Sequence, residues 1–205
     1  VIYASDNGPE NSWRERVEEF GHHSNGIYRG GKRDIYEGGH RVPFFMRWPA
    51  GIKESGRSCD DLVGLVDLLA TFADIVGAEL PADAGEDSQS FAQILNEPDT
   101  KRERLPLINH GTAGRFAITE GHWKLVMAHK DETLEFYNLA DDPGEMKNVV
   151  DDHPELVAEL AKKITDIVCN GRTTAGDVQA NDTGYWDDLT WVSPDDYQER
   201  QNTTS

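Results

Sequence analysis

The apolar opening of the chain, Val1 to Ala4, runs into Ser5, Asp6, Asn7, Gly8 and Pro9. Asp6 and Asn7 place one anionic and one neutral oxygen side by side, the donors a hard cation such as Ca²⁺ or Mg²⁺ takes. At the end of a strand in an open α/β sheet, such a pair points into the crevice where these folds bind ligands. Taken alone, Asp6-Asn7-Gly8 reads as a turn, because Asn and Gly favour turns. Lys32 follows Gly30 and Gly31, whose backbone can fold closely around a tetrahedral anion, and its compact ammonium suits an anionic oxygen group. His22 and His23 lie between these two points. Adjacent side chains diverge, and no third ligand follows at a metal-site spacing. They are therefore read as substrate contacts or as plain loop residues, as are Trp13, Ser24 and Asn25. Glu37 and Arg41 flank the pair Gly38-Gly39 and read as an ion pair bracing the loop behind Lys32, not as a catalytic acid and base.

Further segments follow in order: Tyr36-Glu37-Gly38-Gly39-His40-Arg41-Val42-Pro43, Trp123-Lys124-Leu125, Tyr137-Asn138-Leu139 leading to Asp141-Asp142-Pro143-Gly144-Glu145, then Asn148 and His153-Pro154-Glu155. With Ser5 to Gly8 and Gly30 to Lys32, this series resembles the sulfatase family, the formylglycine-dependent sulfate-ester hydrolases of the alkaline-phosphatase-like superfamily. The resemblance runs from Val1 to about Arg172. It implies that Asp6 and Asn7 are metal ligands for Ca²⁺, with Mg²⁺ as the other option. It implies that Lys32 is a catalytic, substrate-binding residue on a sulfate oxygen, with His22 and His23 toward the substrate. A sulfate-ester substrate and a periplasmic or secreted location belong to the same implication.

The family's nucleophile is a cysteine, oxidised to formylglycine within a Cys-x-Pro-Ser-Arg type of motif. Cys59 is followed by Asp-Asp-Leu-Val and Cys169 by Asn-Gly-Arg-Thr, so neither fits. The chain is expected to be the C-terminal part of a sulfatase. Formylglycine and further metal ligands would then come from the N-terminal part of the parent chain, and this part alone would be inactive. The competing readings are a related phosphodiesterase or phosphonate hydrolase, and a non-catalytic binding remnant.

Composition narrows the field. A net charge of −18 over 205 residues argues against nucleic-acid binding, which needs a basic stripe. It sits awkwardly with an anionic substrate, although exposed charges more than about 10 Å apart are largely screened at 0.1 M salt. No run approaches the roughly 18 apolar residues of a membrane span, so no membrane partner is expected. Two distant cysteines fix neither a disulfide nor a redox compartment.

The elements that must position these residues are legible in part. Val1–Ala4 reads as a buried strand, Trp13–Phe20 as a short amphipathic helix and Val42–Trp48 as a second strand. Leu62–Val66 reads as a strand, with Asp67 as N-cap of a helix over Leu68–Val76 that ends at Gly77. Strands are expected at Leu105–Asn109, Arg115–Glu120, Trp123–Ala128 and Leu134–Tyr137, with a tight turn at Glu120-Gly121. Leu156, Leu160, Ile164 and Ile167 recur at helical spacing behind Pro154. The expected fold is α/β, the C-terminal part of an alkaline-phosphatase-like sulfatase, with a smaller α+β subdomain of antiparallel sheet plus one helix. The expected divisions are the end of the large domain over 1–80, a linker over 81–104, the subdomain over 105–172 and an irregular tail over 173–205. The tail's aromatics, Tyr185, Trp186, Trp191 and Tyr197, are expected to lie against a surface. His110, after a strand end, could approach the active crevice, whereas His122 and His129 read as packing or surface residues. Asn202-Thr203-Thr204 forms a glycosylation sequon too close to the terminus to decide anything.

Overall fold

A computed structural model describes residues 1–97, 100, 102–182 and 184–202. Thr203 and Thr204 of the sequon lie outside the described residues. Among the described residues, no helix is long and apolar enough to cross a membrane.

The centre is a four-stranded antiparallel sheet in the order β3 (Leu107–His110), β4 (Phe116–Glu120), β5 (Trp123–Val126), β6 (Glu135–Asn138). Each strand lies close to its expected place. Glu120 pairs with Trp123 across a turn in which Gly121 takes φ +59°, which glycine tolerates without a Cβ clash. Strand alternation sends side chains to two faces. Phe116, Ile118, Leu125 and Phe136 face helix α5 (Pro154–Asn170), which contributes Val157, Leu160 and Ile164. Ala117, Val126 and Tyr137 face the other way and close over Ile35. That second face carries the 28–40 segment, and with it Lys32.

The tail is more ordered than its sequence suggests. Leu189, Val192 and Tyr197 are buried in the α5 cluster, and Pro194–Asn202 forms helix α6. Trp186 packs edge-on against His110 and Phe116. His110 itself stacks on Phe116 at 4.2 Å, which makes it an aromatic packing residue.

The N-terminal part holds β1 (Ile2–Ala4), α1 (Trp13–Phe20), the single-turn helix α2 (Glu37–His40), β2 (Phe44–Met46) and α3 (Leu68–Val76). β1 pairs antiparallel with β2 in a two-stranded sheet. The expectation of a buried first strand is not met. With one neighbour among the described residues, β1 leaves Tyr3 67% exposed, and its partner Phe45 is 65% exposed. Leu62–Val66 does not form a strand: Leu65–Asp67 is a 3₁₀ turn leading into α3. Asp67 stands at the N-cap position but makes no side-chain cap to the helix. Its fully buried carboxylate accepts from the Gly64 and Gln89 amides and pairs with Arg104 at 2.8 Å. Such a buried charge needs all of these partners. The 81–104 stretch contains helix α4 (Ala92–Asn96), where Phe91, Ile94 and Leu95 are buried against Phe44, Met46 and Trp48.

Candidate active-site corner

The Asp6-Asn7 loop and the Lys32 loop are brought together by glycines. The Gly8 amide donates to the Gly39 carbonyl at 2.9 Å, and the Lys32 amide donates to the Pro9 carbonyl at 2.8 Å. A Cβ on Gly8 would stand 1.8 Å from the Gly38 oxygen, and one on Gly38 would stand 2.3 Å from the Gly30 oxygen. Three backbone segments therefore stack at a distance that only glycine allows. The Ser5 hydroxyl donates to the Asn7 carbonyl at 2.8 Å and tightens the first turn. Among the described residues, no hydrogen bond or ion pair engages the Asp6 carboxylate or the Asn7 side chain, so both oxygens are free to take a cation. They are not enough alone: among the described residues no three His, Cys, Asp or Glu side chains converge as a metal site.

Lys32 is half-exposed, and its ammonium lies 3.3 Å from Glu10. The same carboxylate accepts from Arg33 at 2.6 Å. The Asn11 amide and the Arg33 guanidinium hold the Glu10 carboxyl well below its usual range, at about 2. Sequence reasoning missed Glu10 and Arg33, because a carboxylate 22 positions before a lysine carries no local signal. His22 and His23 follow α1, whose C-terminus is capped by Gly21 at φ +63°. Both are exposed, and no interaction brings them to Asp6, Asn7 or Lys32 among the described residues.

The corner is braced from behind. The expected Glu37–Arg41 pair forms at 3.7 Å, but the closer partner of Glu37 is Lys124, at 3.0 Å. Alternation along β5 sends Leu125 to the helix and Lys124 to the opposite, also covered, face. Fully buried, the Lys124 ammonium lies 2.9 Å from Glu145, which in turn accepts the Glu37 amide at 2.6 Å. Burial pushes the Glu145 carboxyl up, against the pull of Lys124. His40, on the last turn of α2, is pushed down to about 4 by burial and by Lys124. A second cluster centres on Glu135, which pairs with Arg115 at 2.6 Å and Arg29 at 3.2 Å and accepts from Tyr36 at 3.0 Å. Burial raises its carboxyl, but hydrogen bonds from Tyr137 and Arg115 outweigh this and hold it low. Arg29 also lies over the Tyr36 ring at 3.6 Å. Asn148 accepts the Phe136 and Val150 amides, and Asp142 accepts those of Met146 and Lys147. Both thus serve the turn that delivers Glu145.

The segments scattered through the sequence therefore meet in one place: Glu37, Lys124 and Glu145 come from three of them. The sequence matches, over residues 25–170, the family described as N-sulphoglucosamine sulphohydrolase, C-terminal. The chain belongs to the sulfatases. Lys32 falls inside the matched range, and Asp6, Asn7, His22 and His23 precede it. The chain is 33% identical over 186 residues to an N-acetylgalactosamine-6-O-sulfatase of Bacteroides thetaiotaomicron, covering 82% of this chain and 36% of that protein. It is 29% identical to human arylsulfatase K, covering 88% of this chain and 33% of the relative. A solved structure from work on glycosaminoglycan metabolism by Bacteroides thetaiotaomicron superposes with a TM-score of 0.69 at 34% identity. It covers 82% of this chain and 38% of its own. The sulfatase chain thus spans about a third of the length of these relatives. The match supports the expected fold class, an alkaline-phosphatase-like sulfatase C-terminal part built on an antiparallel sheet and helices.

Proposed function

We propose that this chain supplies one side of the active site of a sulfate-ester hydrolase, with Asp6 and Asn7 as ligands for Ca²⁺ or Mg²⁺ and Lys32 on the transferring sulfuryl group. The observation that carries this reading is the glycine stack, which fixes two uncommitted oxygen donors and a half-exposed ammonium on one backbone frame. A bound divalent cation would polarise sulfate oxygens. Lys32 would bind a sulfate oxygen and offset charge as the S–O bond breaks, exchanging Glu10 for the substrate. Exposed ion pairs of this kind are worth only about 0–1 kcal/mol, so the exchange is cheap. Glu37, Lys124 and Glu145 hold the frame from beneath and touch no substrate. His22 and His23, exposed on the segment between Asn7 and Lys32, would be the contacts to the leaving group.

The nucleophile, formylglycine, and the remaining metal ligands are assigned to the N-terminal part of the parent chain. Cys169 is buried and Cys59 lies outside any formylglycine motif, so the 205-residue chain alone should turn over no sulfate ester.

The test is kinetic, in the full-length enzyme with a chromogenic sulfate ester. Lys32→Ala should lower kcat by on the order of 10²–10³, the usual cost of one charge-stabilising donor. Lys32→Arg should restore only part, since a planar fork does not replace an ammonium. Asp6→Ala should lose bound metal together with turnover. Near-normal kcat in a folded, metal-loaded Lys32→Ala enzyme would remove Lys32 from the reaction.

A further inference from the structure

Arg33 stands beside Lys32 with φ +80°, a backbone conformation that is strained for any residue carrying a Cβ. Its surroundings impose it. Thr112, in the turn between β3 and β4, donates its amide (3.0 Å) and its hydroxyl (3.4 Å) to the Arg33 carbonyl. The side chain leaves this turn toward Glu10, where one nitrogen donates at 2.6 Å to the carboxylate that also faces Lys32 at 3.3 Å. A single oxyanion thus bridges two neighbouring cationic heads. Asp34 accepts the Gly31 amide at 2.9 Å and lies 3.6 Å from Arg14, bringing a third cation to this corner. Lys32, Arg33 and Arg14 here face two carboxylates, Glu10 and Asp34, so the cations exceed the anions in this cluster by one.

The Arg33 guanidinium has five N–H donors. Glu10 is the one acceptor its side chain meets among the described residues, and the side chain is 47% exposed. A planar fork of this kind matches a carboxylate or a sulfate through paired hydrogen bonds. Glu10 engages only one nitrogen of this fork, so the remaining donors are open to a second oxyanion.

We propose that Arg33 is a specificity-determining residue that binds a second oxyanion of the substrate, a carboxylate or a sulfate, next to the ester engaged by Lys32. Glu10 is the resident anion that this group displaces. The proposal rests on the sulfatase reading of Lys32. It selects doubly anionic substrates: a ligand with one anionic group can replace Glu10 on one cation only, whereas a dianionic ligand replaces it on both.

The experiment uses the full-length enzyme with three esters of one sugar: a monosulfate, the same monosulfate with a second sulfate, and the same monosulfate with a carboxylate. Arg33→Ala should lower the ratio of dianionic to monoanionic kcat/KM by on the order of 10–100-fold, mainly through KM, as expected for a lost charge-assisted hydrogen bond. The arm that collapses identifies the second group as sulfate or carboxylate. Glu10→Gln frees both cations at once, so it should lower KM for the dianionic sugars more than for the monosulfate and widen the same ratio. Arg33→Gly should lose discrimination as Arg33→Ala does, while relief of the strained φ keeps Tm at or above that of the wild type; misfolding cannot then explain the loss. An unchanged ratio in Arg33→Ala overturns the proposal. If the parent enzyme hydrolyses neither these three nor a chromogenic sulfate ester, the sulfatase reading fails, and calorimetric binding of the same sugars to wild type and Arg33→Ala decides the role of Arg33 separately. Preference for the dianionic sugars that the variant lacks supports it; equal affinities reject it.

Discussion

The Lys124 ammonium lies 2.9 Å from the Glu145 carboxylate, and both side chains are fully removed from solvent. Glu37 completes the group from the loop behind Lys32. A buried ion pair is not in itself a net source of stability, since desolvation offsets the attraction. Removing one partner is different, because it leaves an uncompensated charge inside.

Lys124→Met should therefore destabilise the chain by about 3–5 kcal/mol, as two carboxylates lose their common cation. Adding Glu37→Gln and Glu145→Gln to Lys124→Met should recover much of that loss. Urea unfolding of the three proteins measures both effects. A cost under 1 kcal/mol for Lys124→Met would mean that the triad does not hold the loop.

His40 makes stability depend on pH. It is held neutral in the fold with its pKa near 4, against 6.5 in the unfolded chain. Between those values the unfolded chain binds more protons, so stability falls as pH drops through this window, by up to about 1.4 kcal/mol per pH unit. Glu145 opposes this, because its raised carboxyl takes up a proton in the fold before it does in the unfolded chain. Glu10 contributes only lower, between 4.5 and about 2. Comparing Tm against pH for wild type and His40→Gln isolates the histidine. The wild type should lose more between pH 6.5 and 4, and superimposable curves would reject this assignment.

Much of the small sheet and its helix was legible because each signal is local. Alternation in β4 and β5, the turn at Gly121 and the apolar stripe of α5 all fall within a few residues. What stayed hidden depends on distant partners. Asp67 has the right type and position for an N-cap, yet Arg104 claims its carboxylate from 37 residues away. Helix α6, Pro194–Asn202, buries only Tyr197, too little for a periodic pattern. In the candidate site, Asp6, Asn7 and Lys32 were named from the motif series. Glu10 and Arg33 were invisible, because their meeting depends on the stack of Gly8 on Gly38. Lys124 did carry a signal, a lysine inside an apolar strand, but its partners lie far away in sequence.

The glycine stack gives a third prediction. In Gly8→Ala the new Cβ would meet the Gly38 oxygen at 1.8 Å and the Gly39 Cα at 2.9 Å. The loop must lift away and lose the Gly8–Gly39 hydrogen bond, which displaces Asp6 and Asn7 from the Lys32 frame. Displacements near 1 Å at a reacting centre can cost about 10²-fold in rate. The full-length Gly8→Ala enzyme should fall by that order while the sheet stays folded, as read from turnover and from near-UV circular dichroism, to which Trp123, stacked on Phe136 at 4.9 Å, contributes. Retained turnover would uncouple the glycine stack from the reaction.

The last prediction concerns metal binding by this chain alone. Ca²⁺ takes six to eight oxygens at about 2.3–2.6 Å, and Asp6 and Asn7 offer two side chains. Among the described residues no further carboxylate joins them in a cluster of three. Calorimetric titration of the 205-residue chain with Ca²⁺ at physiological salt should accordingly show no submicromolar site, whereas the full-length enzyme should hold metal in proportion to intact Asp6. If the chain alone bound Ca²⁺ at submicromolar concentration, and Asp6→Ala abolished it, the ligand set would be local. The assignment of the remaining ligands to the N-terminal part would then be wrong. If tight binding survived Asp6→Ala, the cation would lie elsewhere, and the free oxygens of Asp6 and Asn7 would have lost their proposed role.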